Sequence, residues 1–364
     1  MYNERLSVDI LRPNTFHTIE RQLGAVPASL VTSLGQVDER KGRADAFRRQ
    51  HPAELRTLLE TARIQSATAS NEIEGVTAPA PRIAALVKGS AAPANRSEAE
   101  IAGYRTALDL IHASAREMPV TTNVILQLHR DLYQFSATEG GRFKMVDNTV
   151  DEELPDGTRR VRFVPVAALV TPTSMRELNE RYAAEVDRGV FHPLLLVGSY
   201  VFDFLVIHPF ADGNGRMSRL VTLMLLWRSG YEVGRYISIE QLIAETKETY
   251  YEALAASTEG WHEERHDIVP WLRYFVGILL AAYVRFEERT AGAVGGRGAK
   301  TRAIKQFVRA SASDVFSIDD IRRAAPVAGD ALIRKVLHDL RDEGVVRAEG
   351  RGRSARWRRL RNDF

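Results

Sequence analysis

Twelve consecutive residues, His208-Pro209-Phe210-Ala211-Asp212-Gly213-Asn214-Gly215-Arg216-Met217-Ser218-Arg219, gather more chemistry than any other stretch of the chain. An apolar run, Leu194–Ile207, broken only by Asp203, ends at a histidine followed by proline. A loop with two glycines comes next, and a second apolar helix is expected from about Gly215. Backbone N–H groups at a helix N-terminus, with glycines allowing close approach, make an anion site. Arg216 and Arg219 lie one turn apart on that helix, so both could meet an extended polyphosphate. Asp212 is out of place in a purely basic pocket unless a Mg²⁺ ion bridges it to phosphate oxygens. His208, at the edge, is then placed as general base for an incoming hydroxyl. Each piece alone would be a helix cap or a turn former. In this order they indicate nucleotide chemistry.

Two other histidine motifs compete. His192-Pro193 reads as a helix cap or a core group. His262-Glu263-Glu264-Arg265-His266 has zinc-peptidase spacing, with Glu287 at a suitable distance for a third ligand. Such a motif needs both histidines one turn apart on a long helix. Gly260 before it, and Asp267 and Pro270 after it, place this one in a loop.

The elements that must position these residues are mostly helices. Residues 1–50 are mixed, with Pro13 and Pro27 breaking any long helix. A helical period runs over about 52–75 and stops at Gly75, the usual place for a C-terminal glycine. Lys88–Arg96 reads as a linker. Helices are expected at 97–116, 121–135 (opened by Thr121 and Thr122), 173–187, 193–207, 215–229, 239–257 and 268–289. Between them, Arg142–Val146 and Arg160–Val164 flank the polar turn Asp151–Gly157 and predict a hairpin over 141–165. Thr290–Ala299 is glycine-rich and marks a linker. Beyond it, helices at 302–311, 318–324 and 328–343 and strands at 345–349 and 355–360 outline a winged helix-turn-helix over 300–364. The division is therefore 1–96, 97–289, the linker 290–299, and 300–364.

Composition sets the outer limits. The 364 residues are 45% apolar and 27% charged, as in ordinary globular protein, and suggest two or three domains. Cysteine is absent, which excludes disulfides, thiol catalysis and Cys-ligated metals and fits a reducing cytoplasm. The first residues show no signal-peptide core. Ile268–Val284, with Pro270 and Arg273, is short of the roughly 18–20 residues of a membrane span and reads as a buried helix. Residues 300–364 hold 16 Lys and Arg against 9 Asp and Glu, a balance of +7 that leaves the first 299 at −4. Nucleic acid is thus a partner open to the tail and not to the body. There, 328–343 would be the recognition helix, with Arg351, Arg353, Arg356, Arg358 and Arg359 forming a wing on phosphates. The mixed charge of that helix suits protein docking as well.

The twelve-residue stretch matches every defined position of the Fic-family signature, His-x-Phe-x-Asp/Glu-Gly-Asn-Gly-Arg-x-x-Arg, and the resemblance extends over about Pro52–Val284. It implies a helical Fic-type bundle that transfers AMP from ATP to a protein hydroxyl. By the resemblance, His208 would deprotonate the hydroxyl and Asp212 would hold Mg²⁺. Gly213, Asn214 and Gly215 would form the phosphate anion hole, Arg216 would support the phosphates and Arg219 would meet the γ-phosphate. Phe210 would be a core anchor. Gly141–Pro165 resembles the family's target-registering flap, with Lys144 where many members have arginine and Val166 where many have proline. Tyr250 and Tyr251 resemble the tyrosine pair near adenine. Ser70-Asn71-Glu72-Ile73-Glu74-Gly75 is similar to the inhibitory pattern Ser/Thr-x-x-x-Glu-Gly/Asn, and it implies that Glu74 pairs with Arg219 and blocks the γ-phosphate. The expectation is a self-inhibited adenylyltransferase with an unnamed target protein, with self-modification and a homo-oligomer left open. Its rivals are a DNA-binding regulator whose body senses nucleotide and, more remotely, a zinc metallopeptidase.

Overall fold

The structure, a computed structural model, describes residues 14–52, 55–153, 158–291, 299–311, 314–325, 328–350 and 356–360. It divides into two units, residues 1–284 and 285–364. The division falls within a helix, ahead of the expected 290–299 linker, of which 292–298 lie outside the described residues.

In the first unit a 3-10 turn, Thr15–Thr18, leads into α1 (Ile19–Leu23) and α2 (Ala28–Gln50). Pro27 does not prevent a long helix here. It stands at the N-cap of α2, where its missing N–H costs nothing. Then come α3 (Leu55–Ile73), α4 (Ala80–Val87), α5 (Arg96–Ser114) and α6 (Thr122–Leu132). Part of α3's expected span, residues 53–54, lies outside the described residues. Gly75 ends α3 at φ +75°, and the Thr121 hydroxyl caps α6 by accepting from Val124 N.

A hairpin of β1 (Val150–Glu153) and β2 (Arg159–Phe163) interrupts the helices. The expected first strand, 142–146, is not one. Lys144 at its centre turns inward, its N–H bonded to Pro209 O and its ammonium to Ile207 O, which ties this segment to a loop instead of to β2. The pairing partner of β2 is shifted to Val150–Glu153, antiparallel, with a register break after Val150.

Helices α7 (Thr171–Arg188), α8 (Pro193–Ile207) and α9 (Asn214–Arg228) follow. His192 caps α8, as expected, by accepting from Leu194 N. The expected single helix 239–257 is two, α10 (Ile239–Glu245) and α11 (Lys247–Thr258), broken at Thr246, whose φ/ψ of −122°/31° leaves the helical region. The last helix is α12 (Val269–Thr290). It is long and apolar enough to cross a membrane by length and composition alone, yet Trp271, Leu272, Val276 and Leu279 are core residues.

The core lies around α8, which is apolar on nearly all faces, and α9, whose residues 216–227 are all buried, Arg216 and Arg219 included. Helix α9 packs against α8, α5, α3 and α6, and α3 also packs on α10. Each fully buried Leu, Phe or Val there contributes roughly 1.5–3 kcal/mol of transfer free energy, enough to hold the loop between α8 and α9 rigid.

The second unit contains α13 (Ala299–Gln306), β3 (Val315–Phe316), α14 (Ile318–Ala324), α15 (Asp330–Asp342), β4 (Val346–Glu349) and β5 (Arg356–Arg359). Its strands form one antiparallel sheet in the order β3-β5-β4. Ile304, Val308, Phe316, Ile333, Leu337 and Trp357 give it a core of its own. The expected wing turn at 350–354 lies almost wholly outside the described residues, with Arg351 and Arg353.

Candidate active site

The twelve-residue stretch forms the turn between α8 and α9. His208 is the left-handed C-cap of α8, at φ +51°. A non-glycine residue rarely adopts that conformation, and here it carries the imidazole off the helix axis. Its Nδ1 lies 3.3 Å from Leu205 O. A carbonyl only accepts, so Nδ1 carries the proton and Nε2 keeps the free lone pair. Burial pushes the His208 pKa down to about 4, with the Lys144 ammonium acting in the same direction and the Leu205 carbonyl, Glu74 and Asp212 against it. At neutral pH the ring is a neutral base.

The loop is clamped from within. Asn214 Oδ1 accepts from Phe210 N at 2.9 Å and its Nδ2 donates to Phe210 O at 2.8 Å. The Phe210 ring stacks on His129 with centroids 3.7 Å apart, fully buried. Gly213, at φ +81°, starts α9, and a Cβ there would stand 2.9 Å from Tyr133 Oη. Asp212 Oδ1 accepts from Gly213 N at 2.7 Å, and its side chain is 56% exposed.

The anion cradle already faces a carboxylate. A Cβ on Gly215 would lie 2.1 Å from Glu74 Oε1, so the end of Glu74 rests on the first turn of α9. The same Oε1 accepts from Arg219 Nη2 at 2.8 Å. Arg219 is buried, and it also donates from Nε to Ser70 Oγ and from Nη2 to Ser70 O, both at 2.8 Å. Ser70, Glu74 and Gly75 therefore form one device at the end of α3: the serine grips the guanidinium, the glycine turns the chain, and the glutamate reaches the cradle.

Arg216 takes a different direction from Arg219. Its guanidinium is 2% exposed, donating to Glu100 Oε2 at 2.5 Å and Tyr133 Oη at 3.0 Å. Here it cements α9 to α5 and α6 and does not line the cavity beside the loop. Sequence reasoning missed Glu100 and Tyr133 because they sit far away in the chain and belong to no motif. It also missed what Lys144 does. Buried, with its pKa pushed down to about 8 by desolvation, Lys144 donates to Ile207 O at 3.2 Å and braces the end of α8 where His208 begins.

A cavity of about 580 Å³ opens over this turn, bordered by Glu74, His208, Gly215, Arg219, Tyr250 and Tyr251. Val150, Asp151, Arg162 and Phe163 of the hairpin form its rim. Tyr250 is buried and Tyr251 packs edge-on against it, centroids 5.2 Å apart. Thus His208, Gly215, Arg219, the tyrosine pair and Glu74 all meet in one place. The zinc-like motif does not join them. Trp261–Glu263 is a single 3-10 turn and Glu264 is left-handed at φ +55°, so no helix aligns His262 with His266. Among the described residues, no group of three His, Cys, Asp or Glu side chains could hold a metal ion.

The helical unit thus places a neutral histidine beside a glycine turn at a helix N-terminus. Residues 119–226 match the Fic/DOC family, and the chain carries a Fic domain. A protein adenylyltransferase Fic from Drosophila grimshawi is 27% identical over 278 residues, 75% of this chain and 53% of that protein. One from Drosophila ananassae is 32% identical over 177 residues, 48% of this chain and 31% of that protein. The chain thus spans about half the length, or less, of these curated relatives. The crystal structure of a Fic family protein from Desulfovibrio desulfuricans G20 shares the fold with a TM-score of 0.62 at 20% identity, covering 93% of this chain and 98% of that one.

Proposed function

We propose that this chain is a protein adenylyltransferase held silent by Glu74. The observation that carries the reading is the shared cavity, which His208, Gly215 at the start of α9 and Arg219 all border. Attack by a target hydroxyl on the α-phosphorus of ATP forms the new oxygen–phosphorus bond. The bond to the β-phosphate bridging oxygen breaks, and pyrophosphate leaves. His208 Nε2 takes the hydroxyl proton, and N–H groups at the start of α9 face the charge developing on the phosphate. Tyr250 and Tyr251 border the same cavity, where an adenine ring would lie beside them.

Asp212 suits a Mg²⁺ ion, because it is exposed and beside the cradle, with Oδ1 held by Gly213 N and Oδ2 only at the 3.9 Å edge of an ion pair with Arg216, which a hard cation could replace. Such an ion would neutralise phosphate charge. Glu74 opposes binding of the γ-phosphate by holding Arg219. The β1–β2 hairpin leaves outer edges for an extended target backbone. Self-modification, homo-oligomers and a cytoplasmic setting are compatible extensions.

The second unit has the helix and strand order of a winged helix, and we assign it to docking. DNA phosphates are the weaker partner. Arg322 pairs with Asp330, Lys305 and Arg309 with Glu343, and Arg358 with Glu349, so much of its positive charge is already answered.

Incubating the Glu74→Gly chain with cell lysate and ATP labelled at either the α- or the γ-phosphate tests the reaction class. Protein labelling from α alone is expected. Labelling from γ would make the chain a phosphotransferase, and labelling from neither would end the transferase reading.

A further inference from the structure

The zinc-like segment has another occupation. His262 Nε2 donates to Val164 O at 2.8 Å, and its ring lies flat on Phe163, centroids 5.3 Å apart at 6°. Phe163 ends β2 and borders the cavity, so His262 grips the hairpin at the C-terminal end of β2. The turn that carries His262 is itself held on its other side. Trp261 is fully buried and donates from Nε1 to Asp203 Oδ1 at 2.9 Å, which fastens it to α8 less than two turns before His208. The Glu264 carboxylate meets His17 Nδ1 at 2.5 Å, and His266 Nε2 lies 3.1 Å from Thr15 Oγ1. A two-stranded hairpin has little stability of its own, so its height above the cavity depends on what grips it.

We infer that His262 is the positioning residue of the β1–β2 hairpin, transmitting the fixed frame of α8 and the Thr15–Thr18 turn to the strand that would receive the target. The consequence for AMP transfer rests on the reading proposed above, whereas the anchoring itself does not. A displacement of about 1 Å at a reacting group can cost roughly 10²-fold in rate, so a loosened hairpin would weaken acceptor use without touching the nucleotide.

The test compares full-length His262→Ala and His262→Gln with their parent. Gln keeps an Nε2 donor within reach of Val164 O. Hydrogen exchange of the amides of residues 160–164 is expected to be about tenfold faster in His262→Ala, with α8 and α9 unchanged, and to recover in His262→Gln. In a Glu74→Gly background, AMP transfer to a His208→Ala copy of the same chain is expected to show about a tenfold higher KM for that acceptor, with affinity for a fluorescent ATP analogue unchanged. Unaltered exchange at 160–164 would overturn the proposal. So would exchange that rises equally in α8 and α9, since His262 would then support the whole unit. If the Glu74→Gly parent transfers AMP neither to that copy nor to lysate proteins, the transferase reading falls and the exchange comparison alone decides the anchor.

Discussion

His208 owes its readiness to two neighbours that no motif names. The Leu205 carbonyl selects the tautomer with a free Nε2, and burial with nearby Lys144 keeps the ring neutral down to about pH 4. Because the base acts in its neutral form, transfer should hold level as pH falls through the ordinary histidine value of 6.5 and decline only toward about 4. A pH–rate profile of kcat/KM for the Glu74→Gly chain would show this, and an acid limb near 6.5 would mean that His208 is not the base. His208→Ala should lose about 10²–10⁴ in rate while still binding ATP. At this scale the signature stretch was legible because its residues are contiguous. Arg216 shows the limit: spacing alone made it a twin of Arg219, but Glu100 and Tyr133, brought close only by folding, turn its guanidinium aside.

The decisive element is the junction of α8 and α9, where two helices ending face to face leave a turn with no slack. Gly213 shows how tight it is. A side chain there must adopt φ +81° and also displace the Tyr133 hydroxyl. Gly213→Ala should therefore lower stability by about 1–3 kcal/mol, measured by urea unfolding, and weaken ATP binding as the cradle shifts. A fully stable, normally binding variant would mean that the turn can relax. Helix existence was readable from apolar periodicity in α3 and from a continuous apolar run in α8. The hairpin register was not. Arg142–Val146 has β-prone residues, but the buried ammonium of Lys144 binds that segment to the loop, a tertiary demand that overrides local propensity. The break at Thr246 was likewise invisible, because a single residue leaving the helical region removes no hydrophobic period.

Taken as a whole, the first unit buries imidazoles that prefer to be neutral. Burial, the leading cause in each case, lowers the pKa of His112 to about 3 and of His129, His208 and His266 to about 4. Between those values and 6.5 the unfolded chain binds more protons than the folded one, so stability falls as pH drops through that window. Asp203, raised to about 7 by burial, and Asp131, also raised by burial, work in the opposite direction but are outnumbered. Thermal unfolding should accordingly show a midpoint that falls steadily from pH 6.5 to 4.5, and a flat response would contradict the neutral buried histidines. The two-part organisation could be anticipated from composition, since charge and glycine content change near residue 290. The unit division falls slightly earlier, inside α12, because a helix can run past the edge of a core without any change in composition. On the proposed reading, Glu74, at the end of α3, silences the chain by occupying the cradle and holding Arg219. Self-labelling with α-labelled ATP tests it most directly in the wild type, Glu74→Gly, Glu74→Gln, and Glu74→Gly combined with Arg219→Ala. Both single variants should exceed the wild type, by up to about 10²-fold, and the double variant should fall back. Equal labelling of the wild type and both single variants would reduce Glu74 to the last residue of a helix and contradict the account.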